Sequence, residues 1–257
     1  MKRYTIIFAT IFATLFSVPA RSQDVLTKMQ NGEDVNVVFK NMAVGGIFIH
    51  TEGWGFFFRK GKILSIHRKW FWELETATMH SDKEHKIRNS SYPDASAYYF
   101  GKLNGMQALR VGSGFYTMLW RKNNEHCVEI DAVYAVGFSL AILKPVYLQI
   151  IEPTPSPDTF ILSSEKYDPN KDTPQNIYGR ASVFDGLGEL NFYPGGYARA
   201  GLNFDYANRH NLLKSIETGL EFDAYPQEIP IMAPELTSNN RFFLNLYLNI
   251  NFGKRWF

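Results

Sequence analysis

The sequence predicts an all-β protein, a transmembrane antiparallel up-and-down β-barrel that follows a cleaved signal peptide. Three observations support this prediction. Apolar and polar residues alternate along several segments, as they do on the two faces of a β-strand. The chain starts with a secretion-type segment, and no later apolar run reaches the roughly 20 residues that a transmembrane helix needs. A closed barrel is then the structure that satisfies its backbone hydrogen bonds inside a bilayer.

The first 22 residues have the order of a secretory signal. Lys2 and Arg3 precede an apolar run over 6–18, and small residues follow it up to Ser22. This pattern predicts a signal peptide at 1–22, because the run is too short for a membrane anchor helix. The polar stretch 23–41 is then a periplasmic lead-in, and the barrel occupies 42–257.

Composition restricts the classes of function. The 27 basic and 25 acidic residues give a net charge of +2, which indicates no general affinity for nucleic acid. Aromatic residues make up 16% of a chain whose mean hydropathy is negative, as expected if aromatic girdles lie at both membrane interfaces. The single cysteine, Cys127, has no partner for an internal disulfide and is expected to pack as a small hydrophobe.

The first half of the barrel region contains two ambiguous segments. Residues 44–62 are rich in glycine and aromatic residues, and form either one bent strand or a hairpin that turns near Thr51, Glu52 and Gly53. Residues 69–80 alternate cleanly and carry an acidic face. After the polar connection 81–97, residues 105–122 form either one strand with a Gly-Ser-Gly bend or two short strands.

The middle of the chain predicts further strands and a long loop. Residues 127–142 alternate, a tight turn at 122–125 precedes them, and Pro145 interrupts the pattern. Val146, Leu148 and Ile150 then restart it after a short turn. Residues 152–190 are the longest connection, predicted without strands and placed outside the cell because bacterial barrels carry their long loops there.

The last three strands have the clearest alternation. Residues 197–206 and 215–224 are joined by a turn at 208–211, and an outer loop at 226–240 precedes the closing strand. The predicted lipid-facing side chains of that closing strand are Phe242, Leu244, Leu246, Leu248, Ile250, Phe252 and Trp256. The barrel has eight strands if both glycine-containing segments are single strands and ten if both are hairpins. Strand length favours eight.

Four segments resemble a known family: YFGKLNGMQALRVGSGFYTMLWRK, AILKPVYLQI, YPQEIPIMA and FFLNLYLNINFGKRWF. They are similar to small, largely uncharacterised β-barrels of the Bacteroidetes outer membrane, and the similarity extends over most of the chain after Phe39. The resemblance implies fold and location, lipid as the surroundings, and recognition of the C-terminal strand by the barrel assembly machinery. The usual ending has its terminal Phe in the lipid-facing register, whereas here that register ends on Trp256 and leaves Phe257 one place out.

The opposite faces of these strands collect charged and amide side chains in the predicted lumen. An eight-stranded barrel is only wide enough for its own side chains. We therefore expect a packed polar plug, in which Arg199 lies opposite Glu221 if the hairpin turns near His210. The alternative, a cation path or acidic ligand pocket, requires a wider barrel. The predicted lumen residues are Glu73, Glu75, Glu129, Asp131, Arg199, Asn203, Asp205, Glu217, Glu221, Asp223, Asn245 and Asn249.

Catalytic and metal signatures are weak. Ser65 with His67, and His50 with Glu52, are the nearest candidates for a lipid-A-modifying enzyme, but their spacing forces no triad together. The segment 168–172 has the first ligand positions of a calcium loop, yet Thr173 stands where glycine is needed and Gly179 where glutamate is needed. The sequence predicts no catalytic residue, metal or cofactor.

These observations predict a small structural or interaction barrel that binds an extracellular or envelope protein through its outer loops. An accessory subunit of a secretion or gliding machine, a narrow channel and a lipid enzyme are the alternatives.

Overall fold

Thirteen β-strands and no helix occur in residues 39–92, 94–121, 127–153, 160–207 and 212–257, which the computed structural model describes. The predicted signal peptide, all of the lead-in before Phe39, and the turns at 122–125 and 208–211 lie outside these residues. The described part of the chain has no helix of the length and apolarity needed to cross a membrane.

Eight of these strands form a closed antiparallel barrel. They are β1 (Asn41–His50), β2 (Gly53–Ser65), β3 (Arg68–Met79), β6 (Asn104–Trp120), β7 (Glu129–Pro145), β11 (Asn191–Asp205), β12 (Leu212–Ala224) and β13 (Phe242–Trp256). Each pairs with the next, and β13 pairs with β1 to close the cylinder. The predicted fold class and the count of eight strands are confirmed.

The membership of the barrel differs from the prediction in two places. The segment 44–62 is a hairpin, β1 and β2, which turns at Thr51 and Glu52. Val146, Leu148 and Ile150, which the pattern assigned to a further barrel strand, belong instead to β8 (Tyr147–Pro153) and its approach, outside the barrel. One extra strand and one missing strand therefore leave the count at eight.

The five remaining strands lie between barrel strands at one end of the cylinder. They are β4 (His85–Ile87), β5 (Tyr98–Phe100), β8, β9 (Phe160–Lys166) and β10 (Ile177–Arg180). We call this the loop end, and the opposite end, where β2 meets β3, the turn end. The cap, defined as 80–103, 146–190 and 225–241, contains a two-stranded sheet of β4 and β5 and a three-stranded sheet in the order β10-β8-β9. The prediction that 152–190 lacks strands was wrong.

Apolar clusters hold the cap together. Tyr98, Leu148 and Ile177 belong to one buried cluster. A second cluster joins Ile229, Ile231 and Met232 of the cap to side chains at the loop end of the barrel, such as Met79, Met106 and Phe243. Side chains of 225–241 therefore pack on the loop end of the barrel.

Glycine makes room inside the barrel for one large ring. A Cβ atom placed on Gly112 would lie 2.1 Å from the Tyr197 hydroxyl oxygen, and one on Gly137 would lie 2.8 Å from the Tyr197 ring. Both distances are far below van der Waals contact. The two glycines therefore allow Tyr197 to lie across the lumen towards β3.

Candidate functional site

The lumen contains an unbroken series of ion pairs. From the loop end to the middle of the barrel, acidic and basic side chains alternate in the order Asp223, Arg110, Glu75 with Glu221, Arg199, Glu73, Arg59 and Glu217. All of these side chains are at most 1% exposed. The lumen is therefore filled at this level, as the size of an eight-stranded barrel requires.

Arg199 on β11 lies at the centre of this series. Its Nε donates to Glu221 Oε2 at 3.0 Å, and Arg199 and Glu221 face each other in the β11–β12 register as predicted. Its terminal nitrogens donate to Glu75 and to Glu73 on β3, the latter at 3.3 Å. The Tyr247 ring lies 4.8 Å from the guanidinium carbon, within cation–π distance.

Arg110 on β6 connects the acidic side chains nearest the loop end. It binds Asp223 through two parallel hydrogen bonds of 3.0 and 2.7 Å, and it also donates to Glu75. The Ser139 hydroxyl donates at 2.9 Å to Asp223 Oδ1, the oxygen that also accepts from Arg110 Nε. Such two-pronged pairing fixes both position and orientation of the two groups.

Arg59 on β2 is the arginine of the series that lies farthest from the loop end, and it is surrounded by aromatic rings. It donates to Glu73 at 2.7 Å and to Glu217 at 3.0 Å. The Phe57 and Phe71 rings each lie 4.9 Å from its guanidinium carbon. This planar cation is therefore neutralised at its edge and covered by rings on its faces.

Neutral donors complete the central cluster, which contains five carboxylates and three guanidinium groups among the described residues. The Tyr197 hydroxyl donates to Glu73 at 2.6 Å, and the Tyr247 hydroxyl and the Asn249 amide donate to Glu217 at 3.0 and 3.3 Å. The Tyr197 bond satisfies Glu73 Oε1, to which neither arginine donates, whereas the other two add to the Arg59 bond at Glu217 Oε1.

A second ionic cluster lies nearer the turn end. Lys69 Nζ lies 2.6 Å from Glu129 Oε1 and 3.0 Å from Asp131 Oδ2. Arg255 lies 2.7 Å from Asp205. Asn203 donates to Asp131 at 3.4 Å, so these strands are joined by amides as well as by charges.

The structure places the sequence-derived residues as follows. Of the twelve predicted lumen residues, the Glu129 side chain is 15% exposed. The other eleven are at most 4% exposed, namely Glu73, Glu75, Asp131, Arg199, Asn203, Asp205, Glu217, Glu221, Asp223, Asn245 and Asn249. On β13 the outward side chains are all exposed, namely Phe242, Leu244, Leu246, Leu248, Ile250, Phe252 and Trp256.

Sequence reasoning identified one of the five basic side chains in the two ionic clusters, Arg199, and missed the other four. Arg59 follows three phenylalanines and precedes Lys60, so no alternation marks it as inward. Arg110 lies at two-residue spacing from Ala108 and Gly112, and this run of small inward residues was the available signal. Lys69 lies two residues before Phe71 and four before Glu73, at the start of the acidic face of β3.

The candidate catalytic residues are not brought together. His50 lies at the loop end, where its Nε2 is 3.1 Å from the Thr78 carbonyl oxygen. Ser65 and His67 lie exposed at the β2–β3 turn, at the other end of the barrel. The residues described by the structure therefore contain no assembled nucleophile–base pair from this set.

The segment 168–172 is a hydrogen-bonded turn. Asp168 Oδ1 accepts from the Asn170 backbone N–H at 2.9 Å, and Asp172 Oδ2 accepts from the Asp168 N–H at 2.8 Å. Across the described ranges, no group of three or more His, Cys, Asp or Glu side chains is arranged to hold a metal ion.

Glu52 lies at the mouth of the barrel in the β1–β2 turn. The Asn245 amide donates to its carboxylate at 3.2 Å. Burial raises the pKa of Glu52 to about 7, and the negative charges of Asp82 and Asp223 act in the same direction. This carboxyl group therefore titrates near neutrality.

The cap contains a crevice of about 480 Å³ between two of its loops. Its floor is apolar, formed by Ile87, Phe100, Met232 and Leu236, and Asp82, Lys83 and His85 contribute charged and polar groups to its rim. Beside it, Lys102 forms a buried ion pair of 2.6 Å with Glu84 and links β5 to the 225–241 loop through an isolated bridge to Met232. An apolar floor with a polar rim is typical of small recognition sites.

The exterior of the barrel has the opposite chemistry from its interior. Outward side chains such as Val136, Phe138 and Leu220 are apolar and exposed, whereas charges are buried inside. Exposed aromatic side chains lie near both ends, with Trp54 and Phe242 at the loop end and Trp120 and Trp256 at the turn end. In water this arrangement would expose a broad apolar surface, whereas hydrocarbon accommodates it. These features define a transmembrane β-barrel of the bacterial outer membrane.

Comparison with known proteins adds solved structures but no family. No family model and no curated protein matches the chain. Similar structures include Ail, the attachment invasion locus protein of Yersinia pestis, in complex with the heparin analogue sucrose octasulfate, at 11% identity, a TM-score of 0.38, and coverage of 85% of this chain and 100% of that one. Neisserial surface protein A matches at 8% identity and a TM-score of 0.37, and the outer membrane protein OprG from Pseudomonas aeruginosa at 12% and 0.35, each with 85% and 96% coverage.

Proposed function

We propose that this protein is a closed structural or interaction barrel that binds a partner at the cell surface through its cap. The long connections all lie at the loop end, and bacterial barrels carry long loops outside and short turns inside. In this orientation the cap faces the exterior and the β2–β3 turn faces the periplasm.

The observation that carries the proposal is the folded state of the cap. Ordering a residue costs about 1–2 kcal/mol in backbone entropy, so connections that only join strands are usually short. Here the connections instead form two small sheets that share one buried apolar cluster, and a second cluster packs 229–232 on the barrel. A surface ordered in advance binds a partner without the further entropic cost of ordering its loops.

The crevice is the proposed contact point within the cap. Its apolar floor accepts an apolar side chain of a protein partner, while Asp82, Lys83 and His85 offer polar contacts at the rim. Leu236, which lines the crevice, is half-exposed and packs towards Gly101, so it is within reach of a bound partner.

Two further assignments belong to the proposal. The four segments that resemble Bacteroidetes barrels favour an outer membrane of that type. The β13 strand, with Trp256 and Phe257 exposed at its end, is the segment that we expect the barrel assembly machinery to bind. The lumen is expected to be inert, held by the ion pairs described above.

Photo-crosslinking in intact cells tests the proposal. A photoreactive amino acid replaces Leu236 in the cap or, as the matched control, Ile66 at the turn end; both are exposed apolar side chains. We expect a discrete light-dependent adduct from position 236 and none from 66. An adduct from 66 alone would favour an accessory subunit of a periplasm-facing machine, and no adduct from either position would contradict an interaction role.

Planar-bilayer recording tests the closed lumen separately. Because the side chains of the three central arginines have no water-accessible surface, the purified protein is expected to give no stable open current. A stable conductance would show that a continuous aqueous path exists and would overturn the plug.

A further inference from the structure

A loop of the cap leaves the expected polarity pattern. Between β10 and β11, residues 181–190 turn in succession, and Val183, Phe184 and Leu187 are 68%, 77% and 53% exposed. Loops that face water normally place their polar residues outward. Two acidic side chains of the loop are held by the cap: Asp185 accepts from the Ser164 hydroxyl, and the half-exposed Glu189 accepts from the Tyr147 hydroxyl, both at 2.7 Å.

This loop is fixed against the outward side of the barrel. Lys144 lies on β7 in the same register as the lipid-facing side chains Phe138 and Ile142, and its ammonium group donates to the Val183 carbonyl oxygen. Gly186 has a φ of +81°, and a Cβ atom there would lie 2.9 Å from the Tyr147 ring and 3.0 Å from the Pro145 carbonyl oxygen. The loop therefore packs closely on the β7–β8 junction.

The apolar side chains of the loop continue the lipid-facing belt, by which we mean the exposed apolar side chains on the outward face of the eight barrel strands. Phe192 on β11 is exposed and pairs in register with Ile142 on β7. Ile142 lies two residues before Lys144, so both point outward. Val183 is held beside Lys144, so the exposed apolar surface extends from the barrel wall onto the loop. The belt already faces hydrocarbon, and this continuity assigns the same surroundings to the loop.

We propose that residues 183–187 form a membrane-interface anchor, inserted among the headgroups and upper acyl chains of the leaflet that the loop end faces. The occupant of this surface is the lipid bilayer itself. The proposal goes beyond partner binding by the crevice: it concerns how one side of the cap is held at the membrane surface. A second copy of the chain is the competing occupant.

Site-directed spin labelling in phosphatidylcholine nanodiscs tests the anchor. The background is full-length mature protein with Cys127→Ser, which leaves no native cysteine. Labels are attached at Phe184→Cys, at Leu246→Cys in the belt, and at Ile161→Cys on β9 of the cap. All three positions are exposed apolar sites, so the changes remove no core contact.

The measurement compares collision of the label with oxygen, which concentrates in the bilayer, against collision with a water-soluble nickel complex. We expect the label at 184 to favour oxygen, as the label at 246 does, whereas the label at 161 favours the nickel complex. A label at 184 that behaves like the one at 161 would overturn the anchor. Exclusion from both reagents with dipolar broadening between labels would assign the surface to a second copy and would also overturn it. Neither result depends on the crevice, whose crosslinking is measured separately.

Discussion

Ion pairs in the lumen and ion pairs on the cap have similar lengths but differ in their surroundings. Arg59 lies 2.7 Å from Glu73 with neither side chain exposed, whereas Lys171 lies 3.0 Å from Glu165 with 63% and 35% of their side chains exposed. Water and salt weaken the second kind, while the first kind lacks solvent to replace a lost partner. The comparison teaches that distance alone does not rank these contacts.

The largest effect is expected from Arg199→Met. The substitution removes the shared partner of Glu73, Glu75 and Glu221 and leaves buried carboxylates short of positive charge. Breaking a buried pair by removing one partner costs about 3–5 kcal/mol. Urea unfolding in lipid vesicles, followed by the heat-dependent gel shift, measures the change. An unchanged unfolding midpoint would mean that lumen and cap pairs are equivalent after all.

A smaller effect is expected from Tyr197→Phe. The change keeps the ring between Gly112 and Gly137 but removes the hydroxyl that donates to Glu73 at 2.6 Å. An unsatisfied buried acceptor costs about 1–3 kcal/mol. The matched control is Tyr134→Phe, because Tyr134 faces outward and is exposed. The same unfolding assay measures both variants, and equal midpoints would show that the Tyr197 bond adds nothing.

The pH dependence at the barrel mouth is expected to be smaller again. Burial raises the pKa of Glu52 to about 7 from the ordinary value of 4.5, so the folded state keeps this proton over a range in which the unfolded state releases it. Stability should therefore fall as pH rises from about 4.5 to 7. Comparison of unfolding midpoints at the two ends of this range should show a weaker fall in Glu52→Gln.

The control for this titration is Glu235→Gln, because Glu235 is exposed in the 225–241 loop. It should retain the slope of the unchanged protein. If the slope is the same in Glu52→Gln and in the unchanged protein, another group is responsible for the pH dependence.

The smallest effect is expected from Lys171→Met on the cap. Its pair with Glu165 is largely exposed, so the variant and the unchanged protein should have the same unfolding midpoint within experimental error. The difference between the two midpoints should not depend on salt. Together with Arg199→Met, this variant completes the comparison between lumen and cap. A large destabilisation here would indicate that the cap is less hydrated than its exposure implies.

The sequence was most informative where one face of a strand is apolar and the other is polar. On β11 and β12 this contrast predicted the register that pairs Arg199 with Glu221. On β1 and β2 the contrast disappears, because Phe57 points inward to cover Arg59 while Phe56 and Phe58 point outward. The hairpin there could be recognised as a possibility but not chosen.

The β8 strand shows a different limit. Val146, Leu148 and Ile150 alternate as a barrel strand does, but Leu148 and Ile150 pack against Tyr98 and Ile177 in the cap. Period-two alternation identifies a strand with one apolar side and does not tell whether lipid or protein covers that side. The ion-pair series has a similar limit, since its members come from strands that only the closed cylinder brings across from one another.

The pairing of β1 with β13 affects how the protein is made. Asn41 and Phe257 are 216 positions apart, yet the Asn41 amide donates to the Phe257 carbonyl oxygen at the seam. Until the last strand has emerged from the secretion apparatus, the nascent sheet has two unpaired margins, because β1 has no β13 with which to form hydrogen bonds. Translocation of the C-terminal strand must therefore come before completion of the cylinder, and shielding those margins during the delay falls to whatever escorts the chain across the periplasm.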